Sequence, residues 1–165
     1  MPPAVGNIVA PNEIATMAEN SLEKFQLKWR FTDPNYNVLP ADVLKRFHPL
    51  DMQSAHEIYG RRTDILQNFN LDRAQYPNVE TYNSTNDVEG ARLWLKRQLA
   101  NLGSERVTVS WTSEVAMAVP LNDFCDYWDD FCYPGSDDLL VLPKNDDWVL
   151  YFFHEELFQF GRRAL

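Results

Sequence analysis

A chain of 165 residues, 45% hydrophobic and 13% aromatic, has enough apolar material for one packed core. Its net charge of −9 disfavours direct contact with nucleic acid phosphate or an anionic membrane, and it favours a basic protein partner. No apolar run approaches the roughly 18–20 residues of a bilayer span, and the start lacks the basic and apolar regions of a secretory signal. A cytoplasmic location follows as the expectation, with both cysteines reduced.

Residues 1–20 read as a loosely ordered N-terminal arm, and residues 21–165 as a single α+β domain. At 27–33, Leu27, Trp29 and Phe31 alternate with Lys28, Arg30 and Thr32, the period of a half-buried strand. Pro40 opens a short helix carrying Val43, Leu44 and Phe47. A second helix follows Pro49, with Met52, Ala55 and Tyr59 on one stripe. Residues 68–86 are rich in Asn, Pro and Tyr without a sustained period and are expected to form a long loop. The clearest helix starts at Asn86 or Asp87 as cap, carries Ala91, Trp94, Leu95, Leu99 and Leu102 on its apolar side, and stops at Gly103.

Strands then dominate. Val107, Val109 and Trp111 alternate inward, a turn follows, and Val115, Met117 and Val119 complete a hairpin. Residues 139–142 and 148–153 form two further strands, the second apolar on both faces as a covered central strand would be. The segment LFQFG supplies one more short edge strand. Helices early and strands late predict α+β: an antiparallel sheet of about five to six strands, mostly from the C-terminal half, packed by three to four helices.

Between the hairpin and the last strands lies NDFCDYWDDFCYPGSDD, with six aspartates and no base. From Asp123 to Glu156 there are ten carboxylates against Lys144 alone, so the whole net charge sits in that window. At about 100° per residue, Leu121, Phe124, Cys125, Trp128, Phe131 and Cys132 share one stripe, which reads as core. Asp123, Asp126, Asp129 and Asp130 fall on the opposite face and are expected to project from it. Like charges on one helix face cost a few tenths of a kcal/mol per pair, and such local conflicts are where function concentrates.

The segment lacks the ligand order of an EF-hand, and the two cysteines, seven apart on the apolar stripe, fit core positions. No metal and no cofactor is expected. His154, beside Glu155, is a candidate general base, but no nucleophile elbow and no glycine-rich phosphate loop accompanies it.

The Trp-containing segment WRFTDPNYNVLPADVLKRFHPLDMQSAHEIY, with VTVSW, FCDYWDDFCYPGSDD and WVLYFFHEELFQFGRR, resembles a group of small bacterial proteins of unassigned activity. That group is similar to cytosolic immunity proteins, which neutralise toxins delivered by neighbouring bacteria. The likeness runs from about Trp29 to Arg162; Trp128, Asp130, Asp137, Asp138, His154 and Glu155 are the matching positions, without an established catalytic role. It implies a non-enzymatic immunity protein, and the localised negative charge adds that its toxin would be basic, such as one acting on nucleic acid, and met through an acidic surface. The expected contacts are Asp123, Asp126, Asp129, Asp130, Asp137 and Asp138, with Tyr127 and Tyr133 as aromatic anchors. The alternatives are a housekeeping binding or scaffold domain, and a hydrolase using His154 with Glu155 or a nearby aspartate. Self-association is open, and nothing in the sequence indicates it.

Overall fold

The computed structural model describes residues 21–102 and 106–164. The expected N-terminal arm and the helix stop at Gly103 lie outside those residues. Four helices of the N-terminal half are α1 (Trp29–Thr32), α2 (Ala41–Leu44), α3 (Met52–Gly60) and α4 (Arg62–Ile65), preceded by a 3-10 turn at Leu22–Lys24. The long α5 (Val88–Leu99) follows, then α6 (Leu121–Asp126) and α7 (Trp128–Phe131). The strands are β1 (His48–Pro49), β2 (Leu66–Gln67), β3 (Asn70–Leu71), β4 (Val79–Asn83), β5 (Arg106–Ser110), β6 (Ala116–Pro120), β7 (Leu139–Pro143), β8 (Trp148–Phe153) and β9 (Leu157–Arg162).

Seven strands form one antiparallel sheet in the order β1-β6-β5-β7-β8-β9-β4, while β2 and β3 make a separate two-stranded ribbon. The fold is α+β, with the main strands mostly in the C-terminal half. Period-two alternation explains why β7 and β8 are apolar throughout. Leu139, Val141, Trp148, Leu150 and Phe152 enter the larger core, shared with Phe31, Leu95, Phe124 and Phe131 from the helices and with Phe47 from the turn after α2. Leu140, Leu142, Val149 and Tyr151 enter a smaller core on the other face, with Ile65, Leu71 and Tyr76.

Phe131 is the hub of the larger core. Its ring centre lies 4.9 Å from Phe31, 5.4 Å from Phe47, 5.3 Å from Phe124 and 6.0 Å from Trp111. Offset aromatic contacts at such distances add to the burial of the rings themselves. Asp87 caps α5, its side chain accepting from the Gly90 amide at 3.0 Å, as the sequence leads one to expect. No helix among the described residues is long and apolar enough to cross a membrane.

Several sequence expectations are corrected. The strand at 27–33 is instead the helical turn α1, with both Arg30 and Phe31 buried. The alternation misleads there because Arg30, counted as an outward polar residue, is buried with an acid partner. The loop at 68–86 contains β3 and β4, and β4 pairs with β9 from Val79↔Gly161 to Asn83↔Leu157. Its polar composition hides it, as an edge strand with Glu80, Thr81 and Asn83 exposed needs no apolar alternation. Consequently β9 is an inner strand between β8 and β4, not an edge. On α3 only Ala55 of the expected stripe is buried; Met52 and Tyr59 are exposed, and Tyr59 lies 4.6 Å from the Arg62 guanidinium.

Gly161 in β9 shows how closely the smaller core is drawn onto the sheet. A Cβ there would come within 2.9 Å of Tyr76 Cβ and 3.0 Å of Leu71 Cδ1. Gly161→Ala is expected to cost about 1–3 kcal/mol through overpacking, read as a lower urea midpoint with an unchanged slope. An unchanged midpoint would show that Tyr76 and Leu71 yield freely.

Candidate protein-binding site

The acidic segment does not form one continuous helix. Tyr127, at φ −117° and ψ 26°, separates α6 from α7. Even so, the six residues of the apolar stripe are all buried: Leu121, Phe124, Cys125, Trp128, Phe131 and Cys132. The expectation that all four helical aspartates project into water is corrected. Asp123 and Asp130 are buried, as is Asp137 in the following loop, whereas Asp126, Asp129 and Asp138 are half-buried.

A carboxylate out of water needs a compensating charge or hydrogen bonds. Each aspartate of the segment finds its partner on a different part of the chain. Asp137 receives both terminal nitrogens of Arg30, at 2.6 and 3.1 Å, together with the Tyr133 amide at 2.8 Å. Arg30 also donates to the Phe131 carbonyl at 3.1 Å, and Trp111 Nε1 donates to the same oxygen at 2.9 Å. That carbonyl lies at the end of α7, where helix geometry leaves acceptors unfilled. Asp123 receives the Arg46 Nε and terminal nitrogen at 2.7 and 2.9 Å, and this hydrogen bonding raises the Arg46 pKa above its ordinary value. Asp126 meets Lys96 at 2.5 Å, and Asp129 lies 3.5 Å from Arg92, which also pairs with Glu89. Asp130 receives one hydrogen bond, from Asn37 Nδ2 at 2.9 Å.

Asp138 accepts from the His154 amide at 3.1 Å, lies 3.0 Å from His154 Nδ1, and accepts from Tyr151 Oη at 3.3 Å. Arg62 closes this corner by donating to the carbonyls of Asp138 and Ser110, at 2.6 and 2.7 Å. The carboxylate paired with His154 is therefore Asp138 and not Glu155, which is exposed. The rings of Phe153 and Phe69 flank the imidazole at 4.2 and 6.3 Å. Among the described residues, His154 hydrogen-bonds to no hydroxyl or thiol. A groove lined by Glu80, Gln98, Asp147, Phe160 and Arg162 lies at the opposite end of β9 from His154.

Tyr133 is half-buried with the Arg30 guanidinium 4.1 Å from its ring centre, and Tyr127 packs its ring partly against the larger core. Both expected anchors thus have an internal role. Among the described residues, no group of three or more His, Cys, Asp and Glu side chains is arranged to hold a metal ion. Cys125 and Cys132 are free and buried. Burial pushes the Cys125 thiol up to about 12 and the Cys132 thiol well above its ordinary value.

Sequence reasoning missed the basic and amide partners Arg30, Arg46, Arg62 and Asn37. The one available signal was an arginine set between Trp29 and Phe31, in a segment otherwise patterned for burial. Compared with known protein-family models and with curated proteins, the sequence matches none.

Two outcomes follow. Since the thiolate is the reactive form, both cysteines should resist alkylation at about pH 8 in the folded protein and react together on denaturation. Fast labelling of the folded protein would contradict their burial. For Asp130, burial is the largest cause raising its pKa above the ordinary carboxylate value. The folded state then binds its proton more readily than the unfolded state. This carboxylate therefore costs stability above the raised pKa, and the cost disappears as pH falls below the ordinary value. Asp130→Asn should be at least as stable as the native protein at about pH 7, with the native protein gaining on the variant towards about pH 4. A less stable variant at neutral pH would contradict this.

Proposed function

We propose that the protein is a cytosolic binding protein whose partner is a basic protein, and that it acts as an immunity protein neutralising a basic bacterial toxin. The observation that carries this reading is the charge left over after internal pairing. On the face formed by α2, α5, α6 and α7, six carboxylates (Asp42, Glu89, Asp123, Asp126, Asp129 and Asp130) are met by three bases, Arg46, Arg92 and Lys96. Three bases cannot neutralise six acids, so a net negative field remains even though all of these acids but Asp130 have a basic partner.

A toxin that handles nucleic acid presents a basic groove to phosphate. A rigid negative face can enter the same groove, and the long-range field speeds capture, which an antidote needs. Asp126 and Asp129 are the members of the expected contact set that stand furthest out of the core on this face. Asp123 and Asp137 serve the reading indirectly, by holding the helices that carry the face.

The competing reading is a hydrolase built on His154. Its contact with Asp138 would orient an imidazole, but a general base also needs a nucleophile within reach, and among the described residues His154 hydrogen-bonds to no hydroxyl or thiol.

The test uses Asp126→Lys with Asp129→Lys, both on half-exposed positions, compared with His154→Ala. The native protein and the His154 variant should retain one basic protein from the host at low salt, and the double variant should lose it. That partner, expressed alone, should be toxic, and co-expression of the native protein should restore growth. Loss of protection on His154→Ala with partner binding intact would favour the enzyme, and a partner retained equally by all three would remove the acidic face from the account.

A further inference from the structure

Asp130 is satisfied differently from its neighbours. Asp123 and Asp137 each meet an arginine fork, and Asp126 and Asp129 reach Lys96 and Arg92. Asp130 is only 8% exposed, yet the sole hydrogen bond to its carboxylate among the described residues is the neutral one from Asn37 to Oδ2. Arg92 acts on it electrostatically, but that guanidinium is already divided among Glu89, Asp129 and the Asp126 carbonyl. A desolvated carboxylate without a cation of its own is costly to a fold.

Next to this carboxylate, across Asn37, lies a group of rings of which Tyr36 is exposed and Trp29 and Tyr133 are half-buried. The Trp29 ring centre is 4.6 Å from Tyr36 and 5.6 Å from Tyr133. Tyr36 is 58% exposed and Val38 54%, unusual for large apolar side chains in so short a stretch. Asn37, between them, is the residue that holds Asp130. Asn37 thus ties the Asp130 carboxylate to its own chain neighbour, Tyr36, whose ring packs on Trp29 and, through Trp29, adjoins Tyr133. The patch already accommodates one guanidinium: Arg30 Cζ sits 4.1 Å from the Tyr133 ring centre and 5.4 Å from that of Trp29, its charge balanced by Asp137.

We infer that Trp29, Tyr36, Tyr133 and Asp130 form a docking site for an arginine side chain of a basic protein partner, the guanidinium lying against the exposed Tyr36 ring beside the half-buried Trp29 and Tyr133 and donating to Oδ1 of Asp130. Arginine fits better than lysine because a planar guanidinium stacks on aromatic faces and also reaches a carboxylate with a directed fork, whereas an ammonium does so only as a compact point charge. The site rests on the basic-partner reading and narrows it. It sits beside the charged face of α6 and α7, so the field of that face would deliver the arginine and the rings would retain it.

The probe is a nona-arginine peptide, titrated calorimetrically at low and moderate salt, with nona-lysine as comparator. Variants are Asp130→Asn, which keeps an acceptor for Asn37, Tyr36→Ala at an exposed position, and Asp147→Asn, which removes one charge from the exposed β7–β8 turn. Asp130→Asn and Tyr36→Ala should each weaken nona-arginine binding about 10-fold, Asp147→Asn should leave it nearly unchanged, and native protein should prefer nona-arginine to nona-lysine. Equal weakening by Asp130→Asn and Asp147→Asn would overturn the site while leaving the basic-partner reading in place. No nona-arginine binding at low salt would overturn both. If the patch pairs with a second copy of this chain instead, native protein would sediment as a dimer that Tyr36→Ala dissolves, and that too would overturn the proposal.

Discussion

The pairing of Arg30 with Asp137 ties the helical half of the molecule to the sheet. Both side chains are almost wholly out of water, at 5% and 7% exposed. The guanidinium spans three places at once: its own turn α1, the last carbonyl of α7, and the loop that leads into β7. The rings of Tyr133 and Trp29 lie 4.1 and 5.4 Å from its Cζ. A buried ion pair of this kind contributes little net stability compared with a well-packed apolar replacement, but breaking it by removing one partner is severe. What it fixes is register, because α1 can sit on α7 in only the one place where the fork meets its carboxylate.

The same principle runs along the acidic segment. Six aspartates in seventeen residues look in isolation like a surface that repels itself. In the fold, they are spread over α1, α2, α5 and the β8–β9 turn through Arg30, Asn37, Arg46, Arg92, Lys96 and His154. The charge that concentrates in the sequence is thus partly neutralised where it would be costly and left standing where water can screen it. Recognition and architecture draw on the same residues: the pairs that hold α6 and α7 in place also decide which carboxylates remain for a partner.

How much of this can be read in advance depends on which interaction dominates locally. Where apolar burial alone sets the pattern, as in β5 to β8, α5 and the stripe from Leu121 to Cys132, periodicity is a faithful guide because hydrophobicity is visible residue by residue. It fails at α1, where a buried arginine counts as an outward residue, and at β4, where an edge strand has one polar face and a polar rim. It fails for Asp123, Asp130 and Asp137 for a related reason. A helical wheel assigns a face, but whether that face meets water or an arginine from a segment some 77–107 residues away is a long-range fact. The partners Arg46 and Asn37 carry no local signature, and Arg30 has only its place between Trp29 and Phe31. The link between His154 and Asp138 likewise crosses from the β8–β9 turn to the loop before β7, so the sequence names the adjacent Glu155 and leaves the aspartate unspecified.

The central claim is that the acidic segment is held by specific internal partners before it presents anything outward, and a double-mutant cycle on Arg30 and Asp137 tests it most directly. Urea unfolding of Arg30→Met, Asp137→Asn and the double variant gives the coupling energy between the two side chains. Each single substitution should cost about 3–5 kcal/mol by leaving a buried charge unmatched, and the double variant should cost clearly less than their sum. Single costs below about 1 kcal/mol that simply add would place both groups in effective contact with water, and would contradict the account.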